Sequence, residues 1–407
     1  MLCREMKVVQ VNAIFGSKST GTIVREIQSC CEANGIESYV AYSIADRPDD
    51  EVPNGFRIGN RLTAKWSALF SRIIGKQAYA NRISTWRFLR WLDKVNPDVV
   101  HLHNLHSNYI HLNMLLRYLA KHDIATVVTM HDCWYYTGGC THYTSVGCYR
   151  WREGCGNCPQ KKQLPSFFFD RTHDVIKDRK KYLSAIPRLT MVGASEWVAN
   201  EMRKSLLNDL NITFIHNGFD LVLFRPTSSE KRKELGLERK FVILGPASKW
   251  LLPINKPTLD YFVSKIDSDM AILLFGCSSI NSSLPKNVMQ IGYTKSPKEM
   301  AELYSMADVM VNCSREDTLS SLNLECQACG TPVVTYDATG SKETVDGECG
   351  FAVPTGDAEA LWEKVQEVRL LGKKSMLELC GKWVSANFEK KTNYEKYIEL
   401  YRQMIKA

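Results

Sequence analysis

Short apolar runs recur along the chain and alternate with longer stretches in which apolar residues return every three or four positions. In the first half, Lys7–Val11, Ser38–Tyr42, Val99–His103, Ala125–Met130 and Met191–Ser195 predict strands. In the second half, Phe241–Pro246, Ala271–Phe275, Val288–Ile291, Val309–Val311, Pro332–Thr335 and Phe351–Pro354 do the same. Between them lie predicted helices through Glu26 to Cys31, over Leu112–Ala120, over Pro297–Met306, and from Ser320-Ser321 toward Gly330. Gly330 reads as the cap that ends the last of these, and Pro332 stops any continuation. A strand–helix–strand alternation of this kind predicts an α/β chain with parallel sheets. Phe388, Tyr394, Tyr397 and Tyr401 fall at helical spacing, so the final helix is amphipathic and packs back on the body.

The 407 residues exceed what one core serves, which predicts two domains. His216–Asp220 followed by Phe224-Arg225-Pro226 reads as the linker. The expected division is a first domain over 1–217, a second over 218–385 and a final helix over 386–407.

Composition narrows the class. A hydrophobic share of 44% with 24% charged residues is that of a soluble globular chain, and no apolar run is long enough to span a bilayer. Met1–Glu5 carries no apolar signal segment, and the cysteines outside one cluster are scattered, which together predict a cytoplasmic protein. Charge is concentrated. Arg57–Lys94 holds nine Lys or Arg against Asp93 alone, an excess equal to the net charge of +8 of the whole chain. Trp66, Phe70, Ile73, Ile74, Trp86, Phe88 and Trp91 are interleaved with it. Basic heads on aromatic bodies suit an anionic membrane surface, which predicts peripheral attachment at the inner face of the plasma membrane. The alternative is a solvated helix pair with an ordinary core face. Nucleic acid is not an expected partner, because no recognition motif accompanies the charge.

Candidate chemistry lies in four places. The loop Asn12–Thr22, with Gly16 and Gly21, fits neither a Walker A sequence nor GxGxxG but leaves room for a ligand at a strand end. His131-Asp132 follows the fourth strand, where an imidazole polarises or hydrogen-bonds a substrate hydroxyl, or else caps or fills the core. His101, His103 and His106 read as structural or cleft-lining. Cys140, Cys148, Cys155 and Cys158, within an insertion over 133–160, have the spacing of a tetrahedral zinc knuckle, against free buried thiols or a redox pair. Cys326 and Cys329 are packing residues inside a helix, and Asp267-Ser268-Asp269 is solvated surface. Last, Ser314–Tyr336 places Asp317 before a helix and Glu325 in its first turn, with Ser320-Ser321 between. Both acids then sit at the carboxyl edge of a parallel sheet, where a helix N-terminus receives a phosphate.

Taken together, LYSMADVMVNCSREDTLSSLNLECQACGTPVVTY, HNGFDLVLFRP, the strand-ending MHD and TGSKETVDGECGF resemble the retaining glycosyltransferases of the GT-B fold, in the large group 1 or glycogen-synthase-like family of polysaccharide-assembly enzymes. The resemblance covers nearly the whole chain. It implies two Rossmann-like domains facing each other across a cleft, with acceptor in the first and nucleotide-sugar donor in the second. It implies a hexosyltransferase acting on a UDP or GDP sugar and a lipid-linked or oligosaccharide acceptor, with no cofactor required for catalysis. By the same resemblance His131 stands near the donor sugar and Glu325 holds the nucleotide ribose. Ser320, Ser321 and Leu322 offer backbone to the diphosphate, and Gly16 lets its loop approach it. Two departures mark this chain: Asp317 stands where the family usually has Glu, with Glu316 beside it, and Lys256, the match to the family's phosphate-binding lysine, is followed by Pro257 rather than Gly. The usual upstream Arg is replaced, with Lys249 or Asn255 as substitutes in the phosphate clamp. The resemblance leaves two other functions open, a non-hydrolysing sugar-nucleotide epimerase and a sugar-nucleotide-binding protein that has lost turnover.

Overall fold

The computed structural model describes residues 5–163, 166–279 and 284–406. It divides into two units, one built from residues 1–217 and 391–407 and the other from 218–390. The segment 386–407 is therefore shared between the units rather than standing as a third part.

Unit 1 opens with β1 (Lys7–Val11), β2 (Ile14–Phe15), α1 (Lys18–Ala33), β3 (Glu37–Tyr42), β4 (Ile44–Ala45) and β5 (Gly55–Arg57). It continues through α2 (Arg61–Ile74), α3 (Arg82–Val95), β6 (Val99–Leu102), α4 (Leu112–Lys121), β7 (Ala125–Met130), α5 (Thr172–Leu183), β8 (Leu189–Gly193), α6 (Glu196–Met202) and β9 (Ile212–Phe214). Seven strands form one parallel sheet in the order β5-β3-β1-β6-β7-β8-β9, with β2 and β4 as a separate pair. The central strands are buried on both faces, which is why they read as unbroken apolar runs and not as alternating ones.

Unit 2 contains α7 (Lys231–Glu234), β10 (Phe241–Pro246), α8 (Ala247–Trp250), α9 (Lys256–Lys265), β11 (Met270–Phe275), β12 (Val288–Gln290), α10 (Pro297–Met306) and β13 (Val309–Asn312). It closes with α11 (Ser321–Ala328), β14 (Val333–Tyr336), β15 (Gly350–Val353), α12 (Ala358–Leu371) and α13 (Lys373–Phe388). Its six strands are all parallel, in the order β12-β11-β10-β13-β14-β15. Numbered within each unit's sheet, both orders start 3-2-1-4-5-6, the doubly wound arrangement. A ligand crevice in such a sheet opens beyond the carboxyl ends of the strands where the order reverses. That point is β1/β6 in unit 1 and β10/β13 in unit 2.

The last helix, α14 (Lys390–Lys406), belongs to unit 1 from residue 391 onward. Its buried face, Tyr394, Tyr397, Ile398, Tyr401 and Met404, joins Val8, Ile23, Ile27, Val99, Val127 and Val192 in one apolar cluster. The amphipathic spacing is thus spent on covering the sheet of the first unit.

The basic helices do not pack alike. α3 buries Phe88, Leu92 and Val95, with Trp91 stacked on Phe56, an ordinary core face. α2 is turned the other way: Ser67 and Ser71 are its buried residues, while Leu62, Trp66, Leu69, Phe70 and Ile73 are 46–71% exposed. Phe168 and Phe169 are exposed beside it, the Phe168 N–H donating to the Arg72 carbonyl over 3.0 Å; Phe167 is buried instead. Gly75 ends α2 in the left-handed region, φ +71°, and a Cβ there would collide with the Phe169 carbonyl. A groove of about 850 Å³ is lined by Trp66, Phe70 and Ile83 together with Arg57, Arg82 and Arg87. Among the described residues no helix is long and apolar enough to cross a membrane.

Candidate active site

At the reversal point of unit 2, β10 runs directly into the short α8, which carries Lys249, and β13 leads into Cys313, Ser314 and Arg315. Buried Asn255 ties the two strand ends together. Its amide donates to the carbonyls of Lys249 (3.0 Å) and Cys313 (2.8 Å), and its oxygen accepts from Arg315 Nε (2.8 Å). Arg315 also donates to the Ile254 carbonyl and lies over the Tyr336 ring. Burial pushes the Cys313 thiol up to about 12, while the charges of Lys249 and Arg315 pull against that rise. Lys256 is not drawn in. Its exposed ammonium lies 2.5 Å from Asp260, one turn further along α9.

Beyond β13, a network of side-chain amides and hydroxyls fixes the start of α11. Asn312, buried at the strand end, donates to Ser320 Oγ (3.0 Å) and to Asn323 Oδ1 (2.8 Å), and accepts the Ser314 N–H (3.1 Å). Asn323 in turn donates to Thr344 Oγ1 (2.9 Å). With its hydroxyl engaged by Asn312, Ser320 does not cap α11 by its side chain, which leaves the leading N–H groups of Ser321 and Leu322 to be satisfied from outside the helix. Asp317 is fixed through its backbone: its N–H donates to Thr339 Oγ1 (2.8 Å) and its carbonyl accepts the Gly340 N–H (2.9 Å). Glu316 accepts the Ser314 hydroxyl at its carbonyl (3.0 Å). The turn at Thr339-Gly340 therefore sets the course of the loop carrying Glu316 and Asp317.

Glu325 corrects one expectation. It stands in the second turn of α11, not the first, because the helix begins only at Ser321. The Tyr304 hydroxyl donates to its carboxylate over 3.1 Å, yet burial outweighs that bond and raises its pKa from 4.5 to about 7.

In unit 1, Asn12 holds the reversal point: its amide donates to the Ile14 carbonyl (2.7 Å), and its oxygen accepts the Asn104 N–H (3.1 Å). Gly16 has φ +79°, and a Cβ there would fall onto the Asp46 carboxylate, itself 3.6 Å from Arg25 and 3.2 Å from Arg47. This glycine accommodates a side chain of its own domain. His131, the first residue after β7, has Nε2 3.0 Å from His103 Nδ1, and His103 Nε2 lies 3.2 Å from Gln10 Oε1. His101 lies 2.6 Å from the Tyr401 hydroxyl and 2.7 Å from the Thr129 hydroxyl, which also meets Tyr397 (2.9 Å). Burial lowers all three imidazoles, His131 from 6.5 to about 4 against the opposing charge of Asp132, and His101 and His103 well below the usual value. Of these, His131 is the one at the sheet edge and only half-buried, although its Nδ1 is itself a buried atom and its Nε2 faces His103. His106 pairs with Asp132 at 3.1 Å.

The segment after Asp132 folds on itself, and Cys140, Cys148, Cys155 and Cys158 line one small cavity there. All four are free thiols, and burial pushes Cys140 up to about 11 and Cys155 to about 12.

Sequence reasoning singles out Lys249, Glu325 and His131 but misses Arg315, Asn312, Asn323 and Tyr304. Asn312 gives one usable signal, a carboxamide ending an apolar strand, where a buried amide needs partners.

Comparison with known proteins bears on the family and the fold. A chain from Escherichia coli (strain K12), the putative colanic acid biosynthesis glycosyl transferase WcaC, is 21% identical over 361 residues, covering 86% of this chain and 87% of that one. Sucrose-phosphate synthase from Thermosynechococcus elongatus superposes with a TM-score of 0.68 at 17% identity, over 99% of this chain and 100% of its own. Anabaena Alr3699/HepE in complex with UDP gives a TM-score of 0.65 at 14% identity, over 98% and 100%. These neighbours show the GT-B fold. The family model described as glycosyl transferases group 1 matches residues 263–369, and that of glycosyltransferase family 4 matches residues 20–223, just over half of the chain. The chain belongs to glycosyltransferase family 4, with a group 1 glycosyltransferase match within its second unit.

Proposed function

We propose that this protein transfers a hexose-type sugar, with retention of anomeric configuration, from a nucleoside-diphosphate sugar to a hydroxyl of a lipid-linked glycan in surface or capsular polysaccharide assembly. The observation that carries this is at the carboxyl edge of the unit 2 sheet, where Asn255 ties the β10 end at Lys249 to Arg315 after β13, and the chain runs on into α11 with Glu325. A departing nucleoside diphosphate accumulates negative charge, so fixed cations and N–H donors lower the barrier most when placed where that charge grows. Lys249, Arg315 and the N–H groups of Ser321 and Leu322 fit the diphosphate, and Glu325 fits a ribose hydroxyl. In this reading Arg315 takes the role first expected of Lys256. Glu316 or Asp317 contacts the donor sugar, and neutral His131 hydrogen-bonds a sugar hydroxyl near the reacting carbon. The incoming hydroxyl attacks from the face the phosphate leaves, and the leaving phosphate oxygen takes its proton.

A UDP-bound structural neighbour and a relative named for colanic acid biosynthesis support the donor class and the setting. The outward apolar face of α2, set among basic residues, supports an anionic membrane surface at which a lipid-linked acceptor is met. The pairing of Lys256 with Asp260 favours one competing reading, a sugar-nucleotide-binding protein that has lost turnover.

The test is a transfer assay with UDP and GDP sugars and lipid-linked acceptors in anionic liposomes, the product anomer read by NMR. Transfer with retention is expected. An inverted product overturns the mechanism, and nucleotide binding without transfer establishes the competing reading. Reversing Arg61, Lys65 and Arg72 to Glu is expected to lower liposome binding at least a hundredfold, since each basic residue near such a surface contributes about 1 kcal/mol. Unchanged binding removes the membrane role.

A further inference from the structure

The cysteine cluster lies outside the chemistry described above, and two independent features bear on it. The first is convergence. Cys140, Cys148, Cys155 and Cys158 come from three separate turns, yet all line a cavity of about 20 Å³ shared with Gly138, Gly139 and Gly156. That volume is room for about one water-sized sphere. The backbone is shaped for it: Cys155 and Asn157 take positive φ angles of +59° and +48°, and the Gly138 N–H donates to Cys155 Sγ over 3.2 Å. Amide-to-sulfur bonds are a common feature around bound thiolates, where they stabilise the negative sulfur.

The second is a buried cation without a counterion. Arg179 on α5 is fully buried, its guanidinium stacked 3.7 Å from the centre of the Trp134 ring. One terminal nitrogen donates to the carbonyls of Trp134 and Thr137, while Nε and the other terminal nitrogen have no hydrogen-bond partner among the described residues. No carboxylate pairs with it among the described residues; burial acts most strongly on its charge, followed by Tyr79 and Tyr135 and then by Cys155 and Cys140. An unpaired buried guanidinium is costly, and negative charge on the neighbouring sulfurs removes that cost.

We infer that Cys140, Cys148, Cys155 and Cys158 bind one structural zinc ion, with Arg179 compensating the charge of the tetrathiolate. As placed, no group of three or more His, Cys, Asp or Glu side chains among the described residues is already set at metal-binding geometry. A zinc ion with Zn–S distances of about 2.3 Å draws each thiol inward by rotation about its side-chain bonds. The step is redox-neutral: Zn²⁺ and four thiols give a zinc tetrathiolate of charge −2 and four protons released to solvent. The ion closes the segment that begins at Cys133, in which Tyr135 donates to the His103 carbonyl (2.5 Å) and Trp134 N–H donates to Asp132 (2.9 Å). Its effect on turnover is therefore one of positioning, exerted through His103 and Asp132 on His131.

The test uses the full chain expressed with zinc supplied, with elemental analysis and a count of reagent-accessible thiols. About one zinc per chain is expected, released by chelator only as four further thiols become reactive. Cobalt added to the chelated protein is expected to give sulfur-to-metal charge-transfer bands and the intense visible bands of a tetrahedral site. Cys155→Ser removes stoichiometric zinc, and Arg179→Met weakens it at least tenfold with all four thiols intact. Metal below one tenth of stoichiometry with no cobalt bands overturns the inference, whether the thiols are then found free or as disulfides. The cobalt reading on the unaltered chain decides even where a variant fails to fold.

Discussion

Two sheets of the same strand order end in opposite chemistry. Toward the carboxyl edge of unit 1 stand imidazoles: His101 within β6 and the core, His103 bridging Gln10 and His131, and His131 at the rim. Beyond that of unit 2 stand amides and hydroxyls, Asn312, Ser320, Asn323 and Thr344, with two cations and the carboxyl of Glu325. The same pressure acts on both. Burial disfavours charge, so it lowers the pKa of the histidines and raises that of the glutamate. One edge thus gives up protons and the other keeps them, although the backbone carrying them is nearly the same.

The most forceful way to break this contrast is to remove each edge's ionisable group in turn. Glu325→Gln is expected to lower kcat/KM at least a hundredfold and to abolish stabilisation by UDP. In the unaltered protein that stabilisation is about 2.7 kcal/mol at a hundred times Kd. His131→Asn is expected to lower turnover on the order of a hundredfold while leaving the UDP-induced stabilisation in place. Nucleotide thermal shifts beside transfer assays check both; loss of UDP binding in His131→Asn would mean that the division of labour between the edges is wrong.

Proton linkage sharpens the contrast. The folded state of unit 2 holds the Glu325 proton up to about pH 7, whereas the unfolded chain releases it near its usual 4.5. Its stability is therefore highest below 4.5 and falls as pH rises to 7. His131 runs the other way. Unfolded, it protonates below 6.5; folded, it resists until about 4, so unit 1 is most stable above 6.5 and weakens as pH falls toward 4. Each effect is on the order of 1–3 kcal/mol. Calorimetry across this range should show the two units' transitions moving in opposite directions, with Glu325→Gln flattening one trend and His131→Asn reducing the other.

The smallest effect concerns the support behind the imidazoles. Tyr401→Phe removes a buried hydroxyl from His101 and should cost unit 1 about 1–2 kcal/mol, leaving the unit 2 transition unmoved. Local hydrogen exchange in β6 and β7 checks this.

What the chain discloses before folding follows the same division. The strands of both sheets are legible because doubly covered parallel strands must be continuous apolar runs. Lys249 and Glu325 are singled out through the resemblance of their surroundings. Arg315 is not, since a charged residue in a loop looks like any other until Asn255, sixty positions away, is seen to hold it. The inversion of α2 is equally hidden. Its spacing is amphipathic whichever way it faces, and only the burial of Ser67 and Ser71 shows that the polar side turned inward. Gly16 teaches the reverse caution, for a glycine noted as room for a ligand is already explained by the carboxylate of Asp46.

The placement of α14 has a consequence for biosynthesis. Residues 391–406 complete the first unit, yet the 173 residues from 218 to 390 must be made before they appear. At typical translation rates of 5–20 residues per second, that interval lasts roughly 10–35 s. Throughout it, the nascent first sheet carries an uncovered apolar face, and Thr129 and His101 lack the tyrosine hydroxyls that later satisfy them. Chain elongation thus sets a timer on the first unit's exposure to chaperones and proteases. A chain whose synthesis stops anywhere in the second unit leaves the first unfinished as well.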